Sequence, residues 1–341
     1  MNLLVAREAV ICTHGEDVDG IISAFLLTCH LRGRGYKKFK YYFISYGRQL
    51  DCFRHLLNNK EEIKGKDLYV CDLNANDNLV LNQEGRILQN IALLVNKFTW
   101  IDHHDVTKKN AVCLLRHKII LIHRQNICAS KIIYEEFLKS FNDDYFFWLS
   151  NIAQAQDYPT DDHHEEIKKI GYDLQKIISY HNLTPVYNAL HERLLSLLSE
   201  ANNWYDRGSL HERFNGVLRQ CKLKEIAAKT MLERYSLFKD IKDKKFLLTY
   251  GHPAVSFKTV LKHVGLKFGY NYDALIVLFG SPIDNVIVCG NSDGGFKASK
   301  FCNFMGGGGR EQMGGFGIGQ ISEKNYPYLA DDIAEKLNDF L

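Results

Sequence analysis

The sequence predicts an α/β protein with an N-terminal parallel-sheet domain, a helical connector and a smaller C-terminal α/β domain. Short β-branched runs alternate with amphipathic segments from Ala6 to about Phe147, which is typical of parallel strands covered by helices. From Asp143 to about Asp240 the pattern becomes almost wholly helical. After Lys244 short apolar runs return around one amphipathic segment, which predicts a second sheet.

The expected elements of the N-terminal domain, residues 1–180, follow from these runs. The expected strands are EAVICTH, KFKYYFIS, DLYVCDL, KFTWID and HKIILIH. Between them, helices are expected at GIISAFLLTCHLRG and at NDNLVLNQEGRILQNIALLVNK, the second with Asn76 as its cap.

The connector, residues 181–243, contains LHERLLSLLSEANNWYDRG and KEIAAKTMLERYSLFKD, whose apolar residues recur at helical spacing. The C-terminal domain, residues 244–341, contains the expected strands KFLLTYG, YDALIVLFG and NVIVCG. A helix near FKTVLKHVGLKFG is expected to cover them.

Composition excludes several classes of protein. With 46% hydrophobic and 24% charged residues, the 341-residue chain is neither disordered nor fibrous. No apolar stretch approaches the roughly 20 residues that span a bilayer, and the N-terminus lacks a signal pattern, so we expect a cytoplasmic protein without a membrane partner. Nine cysteines without a C-x-x-C pair argue against a disulfide framework and a thiolate zinc site. A net charge of +3 favours a small anionic substrate over a long nucleic acid.

Acids and imidazoles follow three of the expected strands, in the segments THGEDVDG, DLYVCDLN and TWIDHHDV. Because the carboxyl ends of parallel strands meet at one edge of a sheet, we expect these side chains to lie together. A further acid, in AQAQDYPT, follows an expected helix and can approach the same edge. The side chains concerned are His14, Asp17, Asp19, Asp72, Asp102, His103, His104 and Asp157.

Each segment alone also has a simpler interpretation. Asp-His-His can belong to a solvated loop, the first acids to a helix cap, and Asp157 to a turn. Together the side chains form an oxygen and nitrogen donor set without thiolate, which suits Mn²⁺ or Mg²⁺ better than structural zinc. The set is large enough for two cations, as in two-metal hydrolysis of a phosphoryl bond, with Asp72 as the natural bridge.

A second Asp-His-His run, Asp162-His163-His164 in TDDHHEEIKK, follows no expected strand. It opens a charged, helix-like segment. We therefore predict a solvated helix start, where acids are favoured by the helix dipole, and not a metal site.

The first set of motifs, His14-x-x-Asp17-x-Asp19-Gly20, Asp72, Asp102-His103-His104 and Asp157, resembles in the same chain order the four motifs of the DHH phosphoesterase superfamily. The resemblance implies a Rossmann-like DHH domain that binds two divalent cations, usually Mn²⁺, and hydrolyses phosphoester or phosphoanhydride bonds. Many members space the first motif as His-x-x-x-Asp-x-Asp, one residue longer than here. Of Glu16 and Asp17 we take Asp17 as the ligand, because it preserves the alternation of acids with Asp19.

The resemblance also implies a role for each residue. One cation would be held by His14, Asp17 and Asp72, and the other by Asp19, Asp72, His103 and Asp157. His104 would face the substrate phosphate, where an imidazolium stabilises developing negative charge, and it is expected to be catalytic together with Asp102.

The glycine run MGGGGREQMGGFGIG begins at Met305. It can be a flexible linker, but glycine also lets backbone N–H groups approach a phosphate, and Arg310 can add a charge-assisted hydrogen bond. The run resembles the glycine-rich motif of the DHH-associated C-terminal domain, which implies substrate binding by Gly307, Gly308, Gly309 and Arg310. Phosphodiesterase members often have His at the position of Arg310, and many have an upstream Arg where this chain has Asn291 and Ser292.

These inferences predict a phosphoric ester hydrolase, that is, a phosphodiesterase, exonuclease or phosphatase with two Mn²⁺ ions or Mg²⁺. The expected substrate is a small nucleotide or a short single-stranded oligonucleotide. A RecJ-like exonuclease on longer single strands and a non-catalytic nucleotide-binding protein are the alternatives. The sequence leaves open whether two copies associate as a homodimer.

Overall fold

The computed structural model divides the chain into two compact units. Unit 1 comprises Met1–His181 and Val186–Phe214, and unit 2 comprises Asn182–Pro185 and Asn215–Leu341. The structure describes residues 7–45, 48–80, 86–158, 164–181, 192, 194–196, 198, 207–252, 255, 257–280, 284–291 and 295–341. The expected connector over 181–243 stays a prediction, because residues 182–191, 193, 197 and 199–206 within it lie outside the described residues.

Unit 1 is built on a sheet of five parallel strands in the order β2-β1-β3-β4-β5. All five expected strands are present, which confirms the predicted parallel α/β sheet. Because β1 lies between β2 and β3, the strand order reverses beside β1, and such a switch point is where open parallel sheets bind ligands. The strands are β1 (Arg7–His14), β2 (Tyr36–Ile44), β3 (Asp67–Cys71), β4 (Lys97–Asp102) and β5 (Ile120–His123).

Helices cover both faces of this sheet. On one face Val70 and Trp100 are fully buried against Phe53 of α2 and Ile91 of α4, and each such side chain contributes roughly 1.5–3 kcal/mol by leaving water. On the other face α1 contacts α6 and α7. The helices are α1 (Val18–Gly33), α2 (Gln49–Asn58), α3 (Asp77–Val80), α4 (Arg86–Leu94), α5 (Lys108–Arg116), α6 (Ala129–Ile133), α7 (Asp144–Asp157) and α8 (Glu165–His181).

The expected helix from Asn76 is only partly as predicted. The structure has α3 and α4 in its place, and residues 81–85 between them lie outside the described part. The predicted cap is confirmed, since Oδ1 of Asn76 accepts a hydrogen bond from the backbone N–H of Leu79 at 3.0 Å.

Unit 2 contains a mixed sheet in the order β10-β11-β9-β8-β7-β6, in which β7 and β8 are parallel and the other neighbours antiparallel. This sheet confirms the predicted second α/β region. Its strands are β6 (Leu237–Ile241), β7 (Lys244–Gly251), β8 (Ala274–Phe279), β9 (Asn285–Gly290), β10 (Gly308–Arg310) and β11 (Met313–Gly317).

Apolar side chains cover both faces of the second sheet. Phe301 and Leu337 lie in the core on one face, while Leu232 and Val260 lie in the core on the other. The helices concerned are α9 (Arg207–Tyr235), α10 (Phe257–Phe268), α11 (Ala298–Phe304) and α12 (Tyr326–Phe340).

The predicted helix through Asp240 is wrong at its end. α9 ends at Tyr235, and β6 follows as a strand that pairs antiparallel with β7. Pairing across a two-residue turn, in which Lys242 has a φ of +55°, outweighs the helical spacing of the preceding residues. Within the described part of the chain, no helix is long and apolar enough to cross a bilayer.

Candidate metal centre

The predicted site lies where three neighbouring strands of unit 1 end. In the sheet register Cys71 of β3 pairs with Thr13 of β1 and with Ile101 of β4. Each of these three is followed by a predicted site residue: His14 follows Thr13, Asp72 follows Cys71, and Asp102 follows Ile101. The alignment of the strand ends therefore brings these three residues side by side.

Asp72 leaves β3 with a φ of +53°, in the left-handed region that few residues other than glycine, Asn and Asp adopt readily. Its backbone N–H donates to the carbonyl of Ile101 at 3.0 Å. Its side-chain Oδ2 is buried and has no hydrogen-bond partner among the described residues. A buried carboxylate oxygen left in this way is costly unless a cation or a donor compensates it.

The first motif folds tightly around Asp17, which caps α1. Oδ1 of Asp17 accepts the backbone N–H of Gly20 at 3.0 Å, and Oδ2 lies 2.7 Å from Nδ1 of His14. A Cβ on Gly20 would lie only 1.9 Å from the carbonyl oxygen of His14. The glycine of the motif is therefore required by the close approach of the strand end and the first turn of the helix.

Asp19 is buried and held by backbone donors. Its carboxylate accepts N–H groups from Ala129 at 2.7 Å and Ser130 at 2.8 Å, in the first turn of α6. Burial and the neighbouring carboxylates of Asp72 and Asp157 raise the pKa of Asp19 well above its usual value. Sequence reasoning missed these two donors, because backbone N–H groups have no residue-type signal.

His103 lies at the centre of the acids. Its Nε2 is 3.1 Å from Oδ2 of Asp157, 3.2 Å from Oδ1 of Asp72 and 3.9 Å from Oδ2 of Asp19. Its Nδ1 lies 2.8 Å from the hydroxyl of Tyr158. Burial alone would lower the pKa of His103, but the surrounding carboxylates raise it to about 11. The carboxylates around His103 therefore favour a positive charge at this position.

Asp102 and His104 form a separate pair. Nδ1 of His104 lies 2.8 Å from Oδ1 of Asp102. Burial by itself raises the pKa of Asp102, but the adjacent His104 imidazole lowers it overall. Nε2 of His123, at the end of β5, lies 2.7 Å from the carbonyl oxygen of His104 and donates to it. His123 is a supporting residue that sequence reasoning missed.

The side chains meet in three groups in which the candidate ligand atoms lie within 4.8 Å of one another. The groups share members, so they form one centre. They consist of Asp72, Asp102, His103 and His104; of His14, Asp17 and Asp72; and of Asp19, His103 and Asp157.

Divalent cations fit this donor set. The groups contain carboxylates and imidazoles and no cysteine, which suits Mn²⁺ and Mg²⁺. Several buried carboxylates around one imidazole repel one another without added positive charge, and Oδ2 of Asp72 has no hydrogen-bond donor in the described part of the chain. All eight predicted side chains are brought together, and their individual roles stay predictions.

The second Asp-His-His run is described only at its last residue. Asp162 and His163 lie outside the described residues. His164 is exposed and directly precedes α8. Its Nδ1 accepts the backbone N–H of Glu166, in the first turn of the helix, at 3.3 Å. At His164 the run therefore supplies a side-chain acceptor to the start of a helix, as predicted.

The glycine run forms the hairpin β10–β11 in unit 2. A Cβ on Gly307 would lie 2.1 Å from the carbonyl oxygen of Gly315, and Gly309 has a φ of +153° with its Cβ position 2.2 Å from Cα of Gly314. The glycines are therefore required by the close approach of the two strands, and the run is not a linker. The side chain of Arg310 lies outside the described residues, so the predicted substrate-binding role of Gly307, Gly308, Gly309 and Arg310 stays a prediction.

Asn291 is one of two residues, with Ser292, at which the resemblance of the glycine-rich motif implies an Arg in many proteins. Its Nδ2 donates to the carbonyl oxygens of Tyr270 at 2.8 Å and Tyr272 at 3.1 Å, so it links the end of β9 to the segment before β8. Ser292 lies outside the described residues.

No protein-family model and no curated protein matches this sequence. Solved structures do match. The DHH domain of a member of a family of ribosomal proteins is 15% identical, with a TM-score of 0.65 over 97% of this chain and 87% of that chain. RecJ from Thermus thermophilus in complex with Mn²⁺ is 10% identical, with a TM-score of 0.61 over 97% of this chain and 52% of that chain, so this chain spans about half of that protein.

An exonuclease RecJ bound to manganese is 11% identical, with a TM-score of 0.54 over 97% of this chain and 90% of that chain. At these identities the likeness concerns the fold. It covers nearly the whole chain and agrees with the four motifs at the ends of β1, β3, β4 and α7. The chain therefore has the fold of the DHH-domain proteins that its sequence motifs resemble.

Proposed function

We propose that this chain is a divalent-metal-dependent phosphoesterase that hydrolyses a phosphoester bond in a small nucleotide or a short single-stranded oligonucleotide. The observation that carries the proposal is the meeting of three metal-capable groups at the switch point of the parallel sheet, with Asp72 common to two of them. The similar structures bound to manganese, one of them described as an exonuclease, support both the cation and the substrate class.

Six side chains are proposed to hold two cations, Mn²⁺ or Mg²⁺, with Asp72 shared between them. The first would be held by His14, Asp17 and Asp72, and the second by Asp19, Asp72, His103 and Asp157. When bound, two such cations supply Lewis-acid activation of water and neutralise charge on the phosphoryl group.

His104 and Asp102 are proposed to act on the substrate. Asp102 is almost fully buried, whereas 10% of the His104 side chain is exposed, so His104 is the member of the pair that reaches the surface. The Asp102 carboxylate lies 2.8 Å from Nδ1 of His104 and orients the imidazole. A ring N–H oriented in this way is proposed to stabilise the negative charge that develops on a phosphate during hydrolysis.

In unit 2, Gly307, Gly308, Gly309 and Arg310 are proposed to bind substrate. Glycine backbones leave their N–H groups accessible to phosphate oxygens, and an arginine adds a charge-assisted contact.

A RecJ-like exonuclease on longer single strands is the second candidate, favoured by the likeness to RecJ. The net charge of +3 argues against it, because long strands are usually held by strongly basic grooves.

The experiment is a hydrolysis assay with Mn²⁺, Mg²⁺ or EDTA on dinucleotides, 3′-phosphoadenosine 5′-phosphate, cyclic dinucleotides, pyrophosphate and a long single strand. The protein variants are Asp102→Ala at the site and Asp67→Asn at the opposite end of the sheet as the control. We expect hydrolysis of short nucleotides that EDTA and Asp102→Ala abolish and Asp67→Asn retains. Hydrolysis of the long strand alone would favour the RecJ-like candidate, and nucleotide binding without hydrolysis of any substrate would contradict an enzymatic function.

A further inference from the structure

The C-terminal end of α7 holds both nitrogens of one imidazole. Asp157, the last residue of the helix, places Oδ2 3.1 Å from Nε2 of His103. Tyr158, the next residue, places its hydroxyl 2.8 Å from Nδ1 of the same ring. The rings of Tyr158 and His103 meet edge to face, with centroids 5.7 Å apart and planes at 68°.

The position of Tyr158 is set by the helix end. Its backbone N–H donates to the carbonyl of Gln154 at 2.8 Å, and its φ of −125° and ψ of 74° take the chain out of the helix. In the sequence a proline follows Tyr158, and a following proline disfavours helical backbone at this position. The hydroxyl therefore reaches Nδ1 from a fixed direction.

A hydrogen-bond partner on Nδ1 decides how a histidine binds a metal. A neutral imidazole that binds through Nε2 keeps its hydrogen on Nδ1, and an acceptor at Nδ1 fixes both this tautomer and the orientation of the ring. The side chain of His103 is fully buried, so bulk water does not supply that acceptor. The hydroxyl oxygen of Tyr158 lies at the required distance.

We infer that Tyr158 is a positioning residue, which holds His103 with its hydrogen on Nδ1 and thereby strengthens binding of the second cation through Nε2. The inference rests on the proposed function, because it takes His103 as a metal ligand. It concerns a residue outside the DHH motifs, which sequence reasoning did not select.

The chain offers a matched control for the removal of this hydroxyl. Tyr145 lies in the same helix, is buried and donates its hydroxyl to the carbonyl of Leu198 at 3.0 Å. Tyr158→Phe and Tyr145→Phe each remove one hydroxyl and one hydrogen bond from unit 1. Only the first removes a partner of the metal centre.

The test is a calorimetric titration of metal-free protein with Mn²⁺. Because loss of such a supporting partner typically weakens metal binding by about 10–100-fold, we expect a decrease in this range for Tyr158→Phe and none for Tyr145→Phe. ¹⁵N spectra of the histidines with Zn²⁺ as a diamagnetic probe give a second readout. We expect the Nδ1 proton of His103 to give the downfield resonance of a hydrogen-bonded N–H in the wild type, and this resonance to shift upfield in Tyr158→Phe, where the acceptor is lost.

The outcomes separate this inference from the proposed function. Wild-type affinity and an unchanged Nδ1–H resonance in Tyr158→Phe would overturn the positioning role and leave the metal centre intact. An equal loss of affinity in both variants would overturn it as well, since the effect would then be a general loss of packing. Absence of Mn²⁺ binding by the wild type would overturn both proposals.

Discussion

The two ends of the parallel sheet in unit 1 differ in charge balance: charges are paired at the amino end, and acids are in excess at the carboxyl end. At the amino end Arg7, Tyr36 and Asp67, the first residues of β1, β2 and β3, contact one another. The guanidinium of Arg7 lies 2.6 Å from the Tyr36 hydroxyl and 3.3 Å from the Asp67 carboxylate, and 4.2 Å above the Tyr36 ring. The Tyr36 hydroxyl donates to Asp67. One positive charge therefore faces one negative charge.

At the carboxyl end several carboxylates surround one central imidazole, that of His103. At the amino end the charge of Arg7 is paired with that of Asp67, whereas at the carboxyl end the acids outnumber the imidazoles beside them, which favours a bound cation. The same sheet thus separates a structural ion pair from a candidate binding site. Charge balance, rather than the number of acids, distinguishes the two ends.

The largest effect is expected from Asp72→Asn at the carboxyl end. Loss of a residue that merely supports a ligand costs about 10–100-fold in metal affinity, so loss of a shared ligand should weaken Mn²⁺ binding by more than about 100-fold. The metal-free variant should unfold at the same or a higher denaturant concentration than the wild type, because one repelling carboxylate is removed. Calorimetry and denaturant unfolding measure the two quantities. Normal Mn²⁺ binding by Asp72→Asn would show that Asp72 is not a metal ligand.

Addition of Mn²⁺ to the wild type should stabilise unit 1. A ligand that binds only the folded state at 100 times its Kd contributes about 2.7 kcal/mol to the free energy of unfolding. The three tryptophans, Trp100, Trp148 and Trp204, all fall within the residue ranges of unit 1, so tryptophan fluorescence follows this unit. We expect the unfolding midpoint to rise with Mn²⁺ and to return with EDTA. A midpoint insensitive to Mn²⁺ would contradict the charge argument for the carboxyl end.

Asp67→Ala at the amino end should affect stability alone. It leaves the buried Tyr36 hydroxyl without its acceptor and Arg7 without its carboxylate, at a cost of about 1–3 kcal/mol in the free energy of unfolding. The affinity for Mn²⁺ should not change. A large change in the Mn²⁺ affinity of this variant would contradict the claim that the amino-end ion pair affects stability alone.

The smallest effect is expected from Thr107→Ala, which lies close to the DHH motif in sequence. Thr107 caps α5, and its Oγ1 accepts the backbone N–H of Asn110 at 3.1 Å. Loss of such a cap costs about 1 kcal/mol in the free energy of unfolding. Denaturant unfolding and Mn²⁺ titration of this variant should show lower stability and unchanged affinity for Mn²⁺. Weaker Mn²⁺ binding would contradict this prediction and show that the loop before α5 contributes to the metal centre.

Much of unit 1 was predictable because its strands carry a strong local pattern. β1, β3 and β4 are short apolar runs, each followed by acids or imidazoles, so both the sheet and the set of candidate ligands follow from residue type. The cap by Asn76 was predictable for the same local reason. The strand β6 was not, since its residues continue a helical spacing and only pairing with β7 determines their conformation.

The contacts that support the site were beyond sequence reasoning. Asp19 is held by the backbone N–H groups of Ala129 and Ser130, which are more than 100 residues away in the chain and would be present with almost any side chain. Tyr158 is one tyrosine among 18, and only the direction of the helix end places its hydroxyl on His103. Such partners depend on tertiary geometry, which residue type does not encode.

The most direct test of the dinuclear centre is electron paramagnetic resonance of Mn²⁺ titrated into metal-free protein. We predict that the signal of free Mn²⁺ stays absent until two ions are bound per chain, and that the saturated protein gives the spectrum of two magnetically coupled ions. A single uncoupled ion, or a free Mn²⁺ signal from the first addition, would contradict the two-metal centre at the carboxyl end of the sheet.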